Sequence, residues 1–117
     1  MKALKVDKKW LTDEFYYFEF IGETDDYGSE IYEEPKLIKH CRIEYVSEIN
    51  RSSLKVDNDT HAIIFCYEKV TAPFKYFRTR SKISILNQEY EIKKVLPYKE
   101  PYSNELWSIE LEIGQIS

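Results

Sequence analysis

The sequence predicts an all-β fold: a small single-domain β-barrel or sandwich of about six antiparallel strands with long loops. Three observations carry this. Apolar and polar residues alternate with a period of two in several separate stretches, the mark of a half-buried strand. No stretch has the 3.6-residue rhythm of a helix several turns long. Six short strands with no helix to cover a flat sheet must close up or pack face to face to hide their edges.

The elements follow in chain order. Residues 1–13 are charged and form an arm ahead of the first strand. Phe15–Ile21 is a strand, aromatic on both faces through Phe15-Tyr16-Tyr17-Phe18-Glu19-Phe20, which suits cover on both sides or use in an interface. The stretch Gly22–Gly28 is a turn-rich acidic excursion. In Lys36–Tyr45, Leu37, Cys41, Ile43 and Tyr45 share one parity and His40, Arg42 and Glu44 the other. Residues 47–60 are a long polar loop, of a length that is commonly functional or disordered. His61–Glu68 is the next strand, and Val70–Ser81 a second long connection with Pro73 and a basic half. Lys82–Leu86 and Glu89–Leu96 form a hairpin, with the turn expected at Asn87-Gln88 because Asn tolerates positive φ. Asn104–Ile113 closes the set, with Trp107, Ile109, Leu111 and Ile113 on its inner face. Only the first dozen residues or Ile31–Glu34 suit a helical turn.

The composition excludes several classes. At 117 residues the chain is expected to form one domain, 1–117, around one core. Ten tyrosines, six phenylalanines and two tryptophans are too many for a disordered chain. A net charge of −4 argues against a dedicated nucleic-acid binder, which needs a basic face, although it leaves room for a local basic patch. No apolar run reaches the roughly 18–20 residues that span a bilayer, and the charged first ten residues lack a signal peptide's apolar stretch. An intracellular soluble protein is expected. Cys41 and Cys66 make no disulfide framework.

Chemistry at a catalytic or metal centre is not expected. His40 and Cys41 are adjacent on a strand and point to opposite faces, as do His61 and Cys66 by parity. No metal-ligand spacing occurs, and three glycines leave little backbone for an oxyanion turn, so neither enzyme activity nor a cofactor is expected. Two charged stretches stand out instead. Glu23, Asp25, Asp26, Glu30, Glu33 and Glu34 place six acids in a dozen positions, without the ligand order of a calcium loop. This is either a solvated loop or an electrostatic docking surface. Residues 74–82 interleave aromatic and basic residues, with Lys75, Tyr76, Phe77, Arg78, Arg80 and Lys82 the candidates for contact. Such a segment can dock on an acidic protein face, or stack and track a single nucleic-acid strand as an OB-like barrel does. Acidic turn and basic segment meeting between neighbouring copies would close a head-to-tail ring.

The order of short stretches after residue 14 adds a resemblance. It runs from Tyr16-Tyr17 through Gly22-Glu23 to Asp26-Tyr27-Gly28, then Pro35, Ile38-Lys39-His40 and Arg42-Ile43. Ile63-Ile64-Phe65, Pro73, Phe77 and Arg80-Ser81-Lys82 follow. Glu89-Tyr90-Glu91-Ile92-Lys93-Lys94-Val95 with Pro97, then Pro101, Ser103-Asn104-Glu105 and Ile109-Glu110-Leu111-Glu112, close the pattern. The chain resembles the small minor capsid proteins of tailed bacteriophages, which are similar to head-completion, or stopper, proteins of the head–tail connector. Asn87-Gln88 stands where that pattern has a glycine, and the loop 47–60 has no counterpart. The resemblance implies a non-enzymatic virion protein that forms a ring below the portal, helps retain packaged DNA and offers a tail-attachment surface. The implied partners are portal or adaptor and tail components, with only non-specific proximity to double-stranded DNA and no membrane. The subunit is expected to be monomeric alone and to be assembled in the host cytoplasm. The competing expectation is a single-stranded nucleic-acid-binding barrel that uses residues 74–82.

Overall fold

A computed structural model describes residues 8–48, 50–54, 56, 59–73 and 76–116. A 3-10 turn at Lys8–Trp10 precedes β1 (Asp13–Phe18), and β2 (Phe20–Thr24) and β3 (Glu30–Tyr32) form a separate two-stranded hairpin. β4 (Lys36–Tyr45), the one-turn helix α1 (Arg51–Leu54), β5 (Thr60–Tyr67), β6 (Lys82–Ile85), β7 (Gln88–Lys99) and β8 (Leu106–Gly114) complete the chain. Six strands close into an antiparallel barrel in the order β1-β4-β5-β8-β7-β6, with β6 returning to β1 through Tyr17↔Ile83. Closure gives each of these six strands a neighbour on both sides along part of its length, which removes most of the exposed edges that the strand count made a problem.

The barrel interior is filled by alternate side chains from all six strands: Phe15 and Tyr17, Ile38 and Cys41, Ala62, Ile64 and Cys66, Ile83 and Ile85, Ile92, and Ile109, Leu111 and Ile113. Phe77 comes in from the connection before β6 and stands edge-on to Tyr17 at 5.0 Å. Burying such a ring contributes about 2–3 kcal/mol.

Strict alternation fails in β4 and β7, for the same reason. β1 and β4 pair as Asp13↔Cys41 but Glu14↔Lys39, so His40 is an extra residue, held at φ 62°. This bulge reverses the parity of β4. Ile38 and Cys41 are both core residues, whereas Leu37, which strict alternation would put in the core with Cys41, lies half-buried outside it. In β7 the register slips between Ile92 and Lys94, which brings both Ile92 and Val95 against the core. Bulges bend and twist strands, and a small barrel needs both to close.

Other boundaries move for local reasons. The β6–β7 turn is Leu86-Asn87 rather than Asn87-Gln88: Ile85 pairs with Gln88, and Leu86 and Asn87 have φ of 49° and 66°. Positive φ at both central residues is what a type I′ hairpin turn requires. β7 runs through Pro97 to Lys99, because β6 pairs only with Gln88–Glu91 and leaves the far side of β7 open at the proline. The aromatic strand is broken at Glu19, and Ile31–Glu34 contributes to strand β3 instead of a helical turn. Within 47–60, Asn50 accepts from the Ser47 amide at 2.7 Å and starts the single turn α1.

Candidate interaction surface

The acidic and basic stretches converge on one structure, the root of the β2–β3 hairpin. Here β1 leaves the barrel wall and the chain turns outward at Glu19. The hairpin closes with Phe20↔Tyr32 and Thr24↔Glu30, and the Glu33 amide donates to the Glu19 carbonyl at 2.8 Å. At its tip Asp25 Oδ1 accepts from the amides of Tyr27 and Ser29, each at 2.9 Å. That Asx turn leaves Tyr27 95% exposed.

Residues 76–82 run beneath this root and hold it. Ser81 is fully buried, and its Oγ accepts from the Phe20 amide at 2.9 Å and shares a hydrogen bond with Tyr17 OH at 3.2 Å. Tyr17 OH in turn accepts from the Arg78 amide at 2.9 Å, and burial pushes this phenol's pKa up, keeping it protonated. Arg78 donates from Nη1 to the Phe20 carbonyl at 2.9 Å, and its guanidinium lies against Gly22. Gly22 has φ +85°, and a Cβ there would stand 3.1 Å from Arg78 Nη2.

Charge adds to this core of hydrogen bonds. Arg80 forms an ion pair with Glu30 and lies 4.6 Å from the Phe20 ring centroid. The Arg80 hydrogen bond is the main reason the Glu30 carboxyl titrates below its usual range, and Tyr32 OH also donates to it at 2.9 Å. Burial and that neighbouring carboxylate raise the Tyr32 pKa to about 12. Lys82 Nζ sits 4.4 Å from the Phe18 ring and 5.2 Å from the Tyr32 ring, and pairs with Glu89 at 3.2 Å.

The predicted contact residues therefore divide into three groups. Glu30, Arg78, Arg80 and Lys82 are joined within one chain, so acidic and basic segments already meet inside the subunit. Phe77 is 5% exposed and belongs to the barrel core, so it presents no stacking face. Glu23, Asp25, Asp26, Glu33 and Glu34 are exposed and have no cationic partner among the described residues, and Tyr76 is 79% exposed. Lys75 lies outside the described residues. The residues that sequence reasoning missed are Tyr17, Phe20, Tyr32 and above all Ser81. Nothing in the local pattern separates Ser81 from an ordinary surface serine.

Among the described residues no group of three or more His, Cys, Asp or Glu side chains is placed to hold a metal ion, and no helix is long and apolar enough to cross a membrane. The geometry offers a projecting, acidic, aromatic-tipped arm on a closed barrel. No curated protein and no solved structure matches the chain. The family model for minor capsid proteins matches residues 7–113, nearly the whole chain. The chain belongs to the minor capsid protein family, structural proteins of the phage virion.

Proposed function

We propose that this capsid protein is a ring-forming, non-enzymatic subunit of the phage head–tail junction. It sits below the portal, completes the head, helps retain packaged DNA and presents a surface to the tail. The observation that carries the reading is the clamped hairpin. Its basic neighbours are taken up inside the chain, which leaves Glu23, Asp26, Glu33 and Glu34 to act outward on a rigid base. Exposed charges of this kind steer encounters and choose partners more than they supply affinity. The fitting counterpart is a basic face on the next subunit or on the portal. Packaged DNA repels such an arm, so its contact with the subunit is non-specific.

The single-strand-binding reading needs exposed rings beside free cations. Phe77 is buried, while Arg78, Arg80 and Lys82 each already face a ring or a carboxylate. The test is light scattering of the isolated chain, followed by its binding to portal-bearing heads that lack it. A monomer that joins those heads is the expected result. The triple variant Glu23→Lys, Asp26→Lys and Glu33→Lys should remain folded and fail to join. Wild-type joining by that variant, or salt-sensitive capture of short oligonucleotides by the monomer, overturns the proposal.

A further inference from the structure

The two cysteines of the chain lie far apart in sequence and together in the barrel. β4 and β5 are antiparallel neighbours with Ile43 opposite Ile64 and Arg42 opposite Phe65. The paired register ends at Arg42 and Phe65; continued one residue further it would set Cys41 opposite Cys66, and the two thiols lie close enough for Cys41 to act electrostatically on Cys66. Both side chains are wholly buried and belong to the same core cluster, so both point inward from adjoining strands. Directly opposed residues of an antiparallel pair have Cα atoms roughly 4.5–5.5 Å apart. A disulfide spans Cα separations of roughly 4.4–6.8 Å. The two cysteines are not bonded to each other in this structure, and Cys41 Sγ donates to the Asp13 carbonyl at 3.4 Å.

We propose that Cys41 and Cys66 are a latent cross-strand disulfide that, once oxidised, locks the β4–β5 seam of the folded barrel. The reaction is exchange with a low-molecular-weight disulfide. One cysteine thiolate attacks that disulfide, its S–S bond breaks, and one small thiolate leaves and takes up a proton. The second cysteine, as thiolate, then attacks the protein sulfur of the mixed disulfide, forms the Cys41–Cys66 bond and expels the second small thiol. Two electrons and two protons pass from the protein to the oxidant.

Burial sets when this happens. It pushes the Cys41 thiol pKa up to about 12 and that of Cys66 well above its usual value, with the neighbouring Cys41 adding to the rise at Cys66. The thiolate is the nucleophile, so the closed barrel protects its own dithiol. Oxidation therefore proceeds through opening of the β4–β5 seam. In a reducing host cell the dithiol persists, and the bond belongs to an oxidising exterior.

The chain has only these two cysteines, so any intramolecular disulfide is this one. The full chain is equilibrated in buffers of reduced and oxidised glutathione, in native buffer and in concentrated urea, and its intact mass is read after acid quenching. The disulfide form is two hydrogens lighter. The expected result is at least a tenfold larger equilibrium fraction ratio of disulfide to dithiol in native buffer than in urea. Because a bond favoured by the fold stabilises the fold, the oxidised chain should also unfold at a temperature higher by about 10 °C. Equal or lower preference for the disulfide in native buffer overturns the proposal, as do glutathione adducts that persist without closing. An oxidised chain that loses the native near-ultraviolet circular dichroism does the same.

Discussion

Replacing Ser81 by alanine should destabilise the protein more than breaking the ion pair one residue away. Ser81 Oγ is the acceptor for the Phe20 amide at 2.9 Å, in a place where Phe20 is only 6% exposed. Tyr17 OH loses a partner as well but retains the Arg78 amide and Glu19. The loss is thus one orphaned buried donor, which costs about 1–3 kcal/mol; 2 kcal/mol is about a thirtyfold drop in the folding constant. Arg80 is 58% exposed, so its pair with Glu30 is solvent-screened and contributes about 1 kcal/mol or less. Its stacking near Phe20 adds about 0.5–1 kcal/mol. Urea unfolding of Ser81→Ala and Arg80→Ala, followed by circular dichroism, gives both values. Hydrogen exchange at the Phe20 amide locates the effect, with faster exchange expected for Ser81→Ala. Molar salt shrinks the Debye length to about 3 Å, so it should erase much of the Arg80→Ala difference and leave that of Ser81→Ala. If Arg80→Ala proves the costlier change, or if Ser81→Ala falls within 0.5 kcal/mol of wild type, charge rather than buried hydrogen bonding holds the hairpin.

Three further outcomes follow from the same geometry. Gly114→Ala would drive a Cβ to 2.4 Å from the Asp59 carbonyl oxygen and should cost about 2 kcal/mol or more in thermal unfolding, whereas Gly28→Ala meets no atom within 4 Å and should cost only the ~1 kcal/mol of its positive φ. Leu86→Asn should stabilise by about 1 kcal/mol, since Leu86 is 89% exposed and its φ of 49° suits Asn better than Leu. The hairpin should weaken at both ends of the pH scale, as measured by urea unfolding of wild type against Glu30→Gln and Tyr32→Phe. Glu30 has a depressed pKa in the fold, so its contribution is complete above the usual 4.5 and is lost as pH falls through the lower folded value. Tyr32 is raised from 10.0 to about 12, so its contribution is complete below pH 10 and is lost as pH rises through 12.

Much of the barrel was legible in the chain itself, because alternation is a local consequence of strand geometry. The inward set Ile109, Leu111 and Ile113 could be read from β8 alone, but Trp107, expected with them, lies outside the core and Leu106 packs against it instead, where the β7–β8 register slips. Six of the eight strands among the described residues, the lack of a long helix among them and the hairpin before Glu89 were likewise local signals. Order across the whole chain carried the family. What local pattern could not carry was any feature that depends on a partner strand. His40 is an extra residue only relative to β1, so the side on which Leu37 falls is set by pairing and not by parity. The Leu86-Asn87 turn depends in the same way on Ile85 meeting Gln88.

The candidate surface divides along the same line. The sequence by itself determined that acids cluster at 23–34, that bases interleave with rings at 74–82 and that no metal or nucleophile spacing accompanies them. Only the tertiary structure decided that the two stretches clasp each other, that Phe77 faces the core and that Ser81 is the buried node between them. It also brought Cys41 beside Cys66. The physical reason is that charge and hydropathy belong to single residues, whereas an acceptor, a clamp or a facing thiol exists only once strands distant in sequence have closed into the barrel.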